Sequence, residues 1–449
     1  MDAGGSSSNR RRAKSALFLL ACLAAGMGPH WLPPEQSFWP AIAMAVVLGG
    51  YSIRTVLLQG LGDGTQTSVP SAADVPSPWP DVDVVIAARD EQAVITRLVE
   101  HLAQLRYPEG ALRVWVVDDG SSDRTPELLA ELQERLPLLQ VVRRAPDAGG
   151  GKSGALNLVL QQLQGRWLLV LDADAQLQAD TLERLIPFAE AGGWAAVQLR
   201  KAVANAQINL LTRAQAMEMA LDAVIQQGRL ASGGIAELRG NGQLLRRDAV
   251  LACGGFNEET VTDDLDLSFR LLVGEQPIGV LWDPPVREEA VLTLAALLRQ
   301  RQRWAEGGLQ RFFDYGALLL SQRLNGRQKL DLGAFFLLQY AMPVLAVADL
   351  LGALVTRTLP CIWPLSIVAL GLSGLAIVRG CLRPSEGPAL PQMNPLAMGL
   401  GIVYLGHWFV VIPWVTLRMA LLPKRLVWAK TLHLGESETD DDQEAAATV

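Results

Sequence analysis

Apolar residues are segregated along this 449-residue chain rather than spread through it. Two short apolar runs, Ser15–Gly28 and Phe38–Ile53, lie near the N-terminus, and three longer ones, Leu332–Val355, Leu359–Val378 and Leu396–Leu422, near the C-terminus. Roughly 20 helical residues cross a hydrocarbon core of about 30 Å, so the last three runs are long enough to span one. Between Leu332 and Leu434 the only acids are Asp349 and Glu386. Between the two apolar ends the rhythm changes. Val82–Ala88, Val114–Val117, Leu139–Val142, Trp167–Leu171 and Ala195–Leu199 read as strands, short and β-branched or wholly apolar. Gln92–Leu105, Pro126–Leu136, Gly154–Leu163 and Thr181–Ala191 read as the helices between them. Alternation of this kind over about 120 residues implies a mostly parallel sheet wrapped by helices.

Arg10-Arg11-Arg12 precede the first apolar run, which therefore also resembles the apolar core of a secretory signal. Against that reading, a basic N-terminus marks a cytoplasmic end, and the second run follows after a loop without Lys or Arg. Two crossings would return the chain to the cytoplasm before Gln59. Three further crossings would then leave Arg418, Lys424, Arg425 and Lys430 outside, against the positive-inside rule. Either one C-terminal run is re-entrant or the count of crossings is wrong. The resulting division is an N-terminal membrane region (1–58) with two candidate transmembrane helices and a Gly/Ser/Thr/Pro-rich linker (59–80). An α/β domain (81–286), an interfacial amphipathic segment (287–331), a C-terminal membrane region (332–422) and a basic then acidic tail (423–449) follow. The tail's acidic stretch reads as disordered.

Composition narrows the classes. With 50% hydrophobic and 19% charged residues the chain is more apolar than soluble proteins, which carry about 25% charged residues. A net charge of −7 argues against nucleic acid as a partner. Cys22, Cys253, Cys361 and Cys381 have neither zinc-ligand spacing nor the density of a disulfide scaffold.

Acids gather where such a sheet binds ligands, beyond the carboxyl ends of its strands. Asp90 follows the first strand, Asp118-Asp119 the second, and Asp172 with Asp174 the fourth. Any one of them is explained by the liking of Asp for turns, but three strand ends on one sheet edge are harder to dismiss. Asp172 and Asp174 can hold a hard divalent cation while leaving positions for phosphate oxygens. Gly149-Gly150-Gly151-Lys152 opens a helix and turns backbone N–H groups and a lysine toward an anion. A Walker A loop is excluded, because its first glycine would stand where Pro146 does. In Thr262-Asp263-Asp264-Leu265-Asp266, Thr262 is the expected N-cap, and capping accounts for Asp263 and Asp264 structurally. The crowding of three acids also raises one pKa, as a general base requires. Gln300, Arg303 and Trp304 lie on an amphipathic helix, suited to the membrane surface or to a diphosphate and a sugar ring.

Asp118-Asp119-Gly120, Asp172-Ala173-Asp174, Thr262-Asp263-Asp264 and Gln300-x-x-Arg303-Trp304 resemble, in order and spacing, the D, DxD, TED and QxxRW motifs of membrane-bound family 2 glycosyltransferases. Lys152-Ser153-Gly154-Ala155-Leu156-Asn157 is similar to a further stretch of that family. Asp90-Glu91 stands in place of Asn-Glu, and Asp263 in place of the Glu of TED. The resemblance covers Val82–Tyr315 and implies an α/β GT-A domain, cytoplasmic and flanked by transmembrane helices, in a plasma or thylakoid membrane. It implies that Asp90, Asp118, Asp119 and Lys152 bind the nucleotide of a UDP-sugar. Asp172 and Asp174 would hold its diphosphate through Mg²⁺ or Mn²⁺, and Asp264 would be the base. Asp263, Gln300, Arg303 and Trp304 would complete the acceptor and diphosphate site. Thr262–Leu267, Arg303–Gly308 and Gln310-Arg311 are most similar to the cyanobacterial branch that moves glucose from UDP-glucose to diacylglycerol at a lipid bilayer. A processive β-polysaccharide synthase and a non-catalytic nucleotide-sugar-binding membrane protein are the competing readings.

Overall fold

Seven strands join into one sheet in the computed structural model, which describes residues 3–56 and 78–422. They are β1 (Val82–Ala88), β2 (Leu112–Asp118), β3 (Leu139–Arg143), β4 (Trp167–Leu171), β5 (Ala196–Val203), β6 (Gln243–Arg246) and β7 (Ile278–Glu288). The order across the sheet is β3-β2-β1-β4-β6-β5-β7. The chain winds outward from β1 to β3 and then returns to the other side of β1 with β4, so a topological switch point lies between β1 and β4. Every residue of β1 and of β4 is buried, as a central strand covered on both faces requires. One apolar layer packs Val84, Ile86, Leu169 and Leu171 against the helices Ile95–Leu102 and Thr181–Ala191. The opposite layer packs Val85, Leu168 and Val170 against the helix Gly151–Leu160.

The expected sheet is extended by two strands that the alternation does not announce. β6 runs antiparallel to β4 and β5, and β7 runs parallel to β5 at the edge. Between β5 and β6 lies the helix Leu210–Ala231, started by a capping box in which Asn209 and Thr212 satisfy each other's backbone N–H groups.

Four helical segments are long and apolar enough to cross a membrane: Trp39–Val56, Gly326–Thr356, Trp363–Leu382 and Pro395–Leu421. The helix Ala3–Met27, expected as the first crossing, departs from that pattern. Arg10, Arg11, Arg12 and Lys14 occupy its first half. Ser15–Met27, its uncharged part, is only about 20 Å long at 1.5 Å per residue. It is nonetheless docked on the bundle, since a β-carbon on Gly26 would lie 2.6 Å from Ala348 Cβ. The last segment is not one helix. It breaks at Gly406-His407 into Pro395–Leu405 and Trp408–Leu421. Its approach, middle and end all touch groups on the α/β-domain side. Leu390 packs against the cluster of Val203, Ala206, Ala216 and Met219, Tyr404 Oη and Trp408 Nε1 donate to Glu218 at 2.8 and 3.0 Å, and Arg418 pairs with Glu306. The linker lies outside the described residues up to position 77, and the tail expected at 423–449 lies wholly outside them.

Candidate active site

The carboxyl edge of the sheet carries two groups of polar side chains, joined by Arg144. The first group stands over β1 and β2. Asp118, at the end of β2, accepts from the Ser121 N–H at 2.9 Å. Its other oxygen lies 3.2 Å from Arg143 Nε without hydrogen-bond geometry. Asp119 takes Arg144 Nη1 at 2.5 Å, and burial pushes its carboxyl above the usual range despite that guanidinium. Gly120 has a φ of 71°, and a β-carbon there would lie 2.4 Å from Pro146 Cα, so only glycine admits this turn. Asp90 adopts a left-handed φ of 54° and accepts from the Ser122 N–H at 2.6 Å. Arg144 then donates from Nη1 to the Gly151 carbonyl at 3.1 Å, which ties this group to the glycine loop before Lys152.

The second group lines a cavity of about 400 Å³ between the sheet edge and the membrane bundle. Lys152, Asp172, Asp174, Asp263, Asp264, Gln300, Arg303 and Trp304 all face it, although they are spread over more than 150 positions of sequence. Asp90, Asp118 and Asp119 are set back from its lining; Glu91 is the residue of the β1 loop that reaches it. Lys152 Nζ donates to Asp172 Oδ1 at 2.5 Å and to the Gly240 carbonyl at 3.2 Å. Burial would raise the Asp172 carboxyl, but the Lys152 ammonium outweighs it and holds it below the usual range. Asp174 accepts from the Glu289 N–H at 2.9 Å and is almost fully buried.

Asp264 behaves in the opposite way. Burial, reinforced by the neighbouring Asp263 carboxylate, pushes its pKa up to about 6. Thr262 does stand at the N-cap of the helix Asp263–Val273, but its side chain makes no capping bond. Its hydroxyl is buried without a hydrogen-bond partner because it is pressed against Gly307 of the helix Leu294–Tyr315. That helix also presents Gln300, Arg303 and Trp304 to the cavity. The Arg301 guanidinium lies 3.9 Å from the centre of the Trp304 ring and is buried in an ion pair with Glu218.

Several lining residues were not singled out from the sequence. Lys201 pairs with Glu288 at 2.7 Å and reaches within 5.5 Å of the Trp304 ring. The register between β5 and β7 slips between Leu199 and Lys201, a local bulge of the kind that re-aims a side chain. Arg239 enters from the loop before β6, held by Asp222 at 3.0 Å and Glu237 at 3.1 Å. A lysine inside a strand gives no signal in a single sequence. Gly240-Asn241-Gly242 after Arg239, with positive φ at both glycines, is the one local cue that this loop approaches something closely.

Asp172 and Asp174 offer carboxylate oxygens, the donor set that hard divalent cations take, from positions i and i+2 beyond a buried strand. The residues present therefore fit a magnesium- or manganese-type ion. Beyond the acids the cavity changes character, continuing between membrane helices along Phe335, Leu338, Met342, Leu370 and Phe409.

Residues 80–307 match the family described as glycosyltransferase-like family 2. The chain is 43% identical over 437 residues to a β-monoglucosyldiacylglycerol synthase of Synechocystis sp., a match spanning 96% of this chain and 90% of that protein. It is 46% identical over 432 residues to the β-monoglucosyldiacylglycerol synthase of Trichormus variabilis, covering 95% and 90%. Among solved structures it resembles a mannosyltransferase from Pyrobaculum calidifontis in complex with GDP-Man and Mn²⁺, with a TM-score of 0.56 and 19% identity over 90% of this chain and 99% of the other. That last likeness bears on the fold, a GT-A sheet of the expected class. With its motifs, its fold and near-full-length relatives in agreement, the chain belongs to the glycosyltransferase-like family 2.

Proposed function

We propose that this protein transfers glucose from UDP-glucose to the free hydroxyl of 1,2-diacylglycerol and yields β-monoglucosyldiacylglycerol. The observation that carries the reading is the continuity of one cavity from Asp172, Asp174 and Asp264 into an apolar slot within the membrane bundle. A two-chain lipid can keep its acyl groups in that slot while its hydroxyl reaches Asp264. The near-full-length similarity to β-monoglucosyldiacylglycerol synthases supports the same donor and acceptor.

In this reading the turn at Asp90, Asp118 and Asp119 holds the nucleoside, with Lys152 beside the diphosphate. Asp172 and Asp174 would hold a divalent ion, which would offset charge on the departing UDP. Arg303 and Gln300 bear on the diphosphate and the acceptor, and Trp304 offers its face to the sugar. Asp264, with its raised pKa, is charged at neutral pH yet basic enough to take the proton of the attacking hydroxyl. The hydroxyl oxygen forms its bond to the anomeric carbon as the bond to UDP breaks on the opposite face, so an α-linked donor gives a β product.

The fold also supports a topology in which Pro395–Leu421 turns back at the interface and Arg10–Arg12, Arg379 and Arg418 share the cytoplasmic side. The Arg379 guanidinium donates to the Val56 carbonyl at 2.6 Å, and Arg12 to the Leu421 carbonyl at 3.2 Å. That arrangement removes the conflict with the positive-inside rule.

Membranes holding the protein, given labelled UDP-glucose and diacylglycerol, test the function. Label extracted into organic solvent supports the glycolipid product, and label left in an ethanol-insoluble polymer supports a processive synthase instead.

A further inference from the structure

The apolar end of the cavity is a slot with two walls. One is the segment Leu337–Thr356, which begins with a π-helical turn, Leu337–Ala341, and the other is the helix Trp363–Leu382. The Cys361 and Ile362 N–H groups donate to Asp349 at 2.7 and 3.2 Å and join the walls at their connecting turn. Into the slot between them project Gln339, from the π-helical turn, and Ser373, from the facing helix. Neither side chain has a hydrogen-bond partner among the described residues, whereas Trp408 and Tyr340 beside them are engaged with Glu218 and Arg311. The nearest charged groups, Glu218 and Arg311, are tied up in ion pairs with Arg301 and Glu237.

An amide unpaired at membrane depth is costly, and such groups persist where they face a partner or a ligand. A π-helical turn shifts the side chains that follow it and is a frequent mark of functional sites. Gln339 lies eight residues beyond Asp331, or about 12 Å along the helix from the polar end at which Asp331 binds Tyr51 and Arg229. Its neighbour Tyr340 packs on Gly308, next to the Gly307 that abuts Thr262, so the slot's polar pair begins close behind the acids.

We infer that Gln339, assisted by Ser373, is the specificity-determining group for an ester-linked acceptor, its amide donating to an acyl ester carbonyl of the lipid. The inference rests on the glycolipid reading above and deepens it. A neutral lipid with ester carbonyls a few bonds from its hydroxyl matches two uncharged donors in an otherwise apolar slot. A charged headgroup would find no uncommitted counter-charge there, since Glu218 is paired with Arg301 and Arg311 with Glu237.

The test uses the full-length protein in nanodiscs, with saturating UDP-glucose and two acceptors of equal chain length, 1,2-diacylglycerol and its 1,2-dialkyl ether analogue, which lacks the carbonyls. One neutral hydrogen bond corresponds to a preference of about three- to tenfold for the ester in kcat/KM. Gln339→Leu is expected to abolish that preference while the KM for UDP-glucose stays unchanged, and Ser373→Ala to reduce it. Equal use of both acceptors by the unmodified protein, or an unchanged ester-to-ether ratio in Gln339→Leu, overturns the assignment alone. Failure of the unmodified protein to glucosylate either lipid overturns the glycolipid reading together with it.

Discussion

Gly307 and Thr262 meet so closely that a β-carbon on the glycine would lie 2.1 Å from the threonine Oγ1. The contact seats the N-terminus of the helix bearing Asp263 and Asp264 directly on the helix bearing Gln300, Arg303 and Trp304. Gly307→Ala must push these two elements apart. Displacement of about 1 Å at a reacting group can cost roughly a hundredfold in rate. The expected result is a fall in kcat of at least about tenfold, with nucleoside affinity less affected because Asp90, Asp118 and Asp119 stand on neither of the two displaced elements. Steady-state kinetics beside a UDP-binding titration would check it.

With Asp264 as the proposed base, the acid limb of the rate profile should follow its carboxyl. Its folded pKa of about 6 lies above the ordinary 3.8, so kcat/KM should fall as pH drops through about 6. Asp263→Asn removes the neighbouring negative charge and should move that limb to lower pH. A limb that stays in place assigns the titration to another group.

The same shift has a sign for stability. The folded state holds the Asp264 proton more tightly than the unfolded chain, so the protonated form adds stability at low pH that is lost as pH rises through about 6. Asp264→Asn should therefore melt above the unmodified protein at pH 8, with the gap narrowing as pH falls below about 6. The same substitution should lower transfer by about a hundredfold or more while UDP still binds.

Asp174 is buried beside Glu289 and faces the cavity with Asp172. Asp174→Ala should remove the part of UDP affinity that depends on divalent cation. Calorimetric titration with Mg²⁺, with Mn²⁺ and in EDTA would show it. Affinity in EDTA equal to that with metal contradicts the assignment of the ion to these carboxylates.

The buried Arg301–Glu218 pair links the helix Leu294–Tyr315 to the helix Leu210–Ala231, with Tyr404 and Trp408 bound to the same carboxylate. Removing one partner strands a buried charge at a cost of about 3–5 kcal/mol, so Glu218→Leu should lower the melting temperature markedly. The double variant with Arg301→Met should recover much of that loss. A double variant no better than the single one would show that the pair does not act as a unit.

The sequence made parts of this architecture plain for physical reasons. β1 and β4 are buried on both faces, so β4 appears as an unbroken apolar run and β1 as one broken only by Asp83, and the acids after them stand out by contrast. β7 carries Asp283, Pro284 and Pro285 in its middle, and β6 is only four residues long, so neither shows a strand pattern. Asp172, Asp174 and Asp264 were accessible because turn acids cluster. Lys201 and Arg239 were not, since their placement depends on a register slip and on a loop held by Asp222. The break at Gly406-His407 left only a faint mark in an apolar run, so the sequence alone counted Leu396–Leu422 as one segment.

The most direct measurement is the anomeric configuration of the lipid product made by purified protein from UDP-glucose and 1,2-diacylglycerol, read from the coupling of its anomeric proton by NMR. A single glucose with a large trans-diaxial coupling, absent when Asp264 is replaced by Asn, is the result this account predicts. An α-linked product, or undiminished β-glucoside from the Asp264→Asn protein, would contradict it.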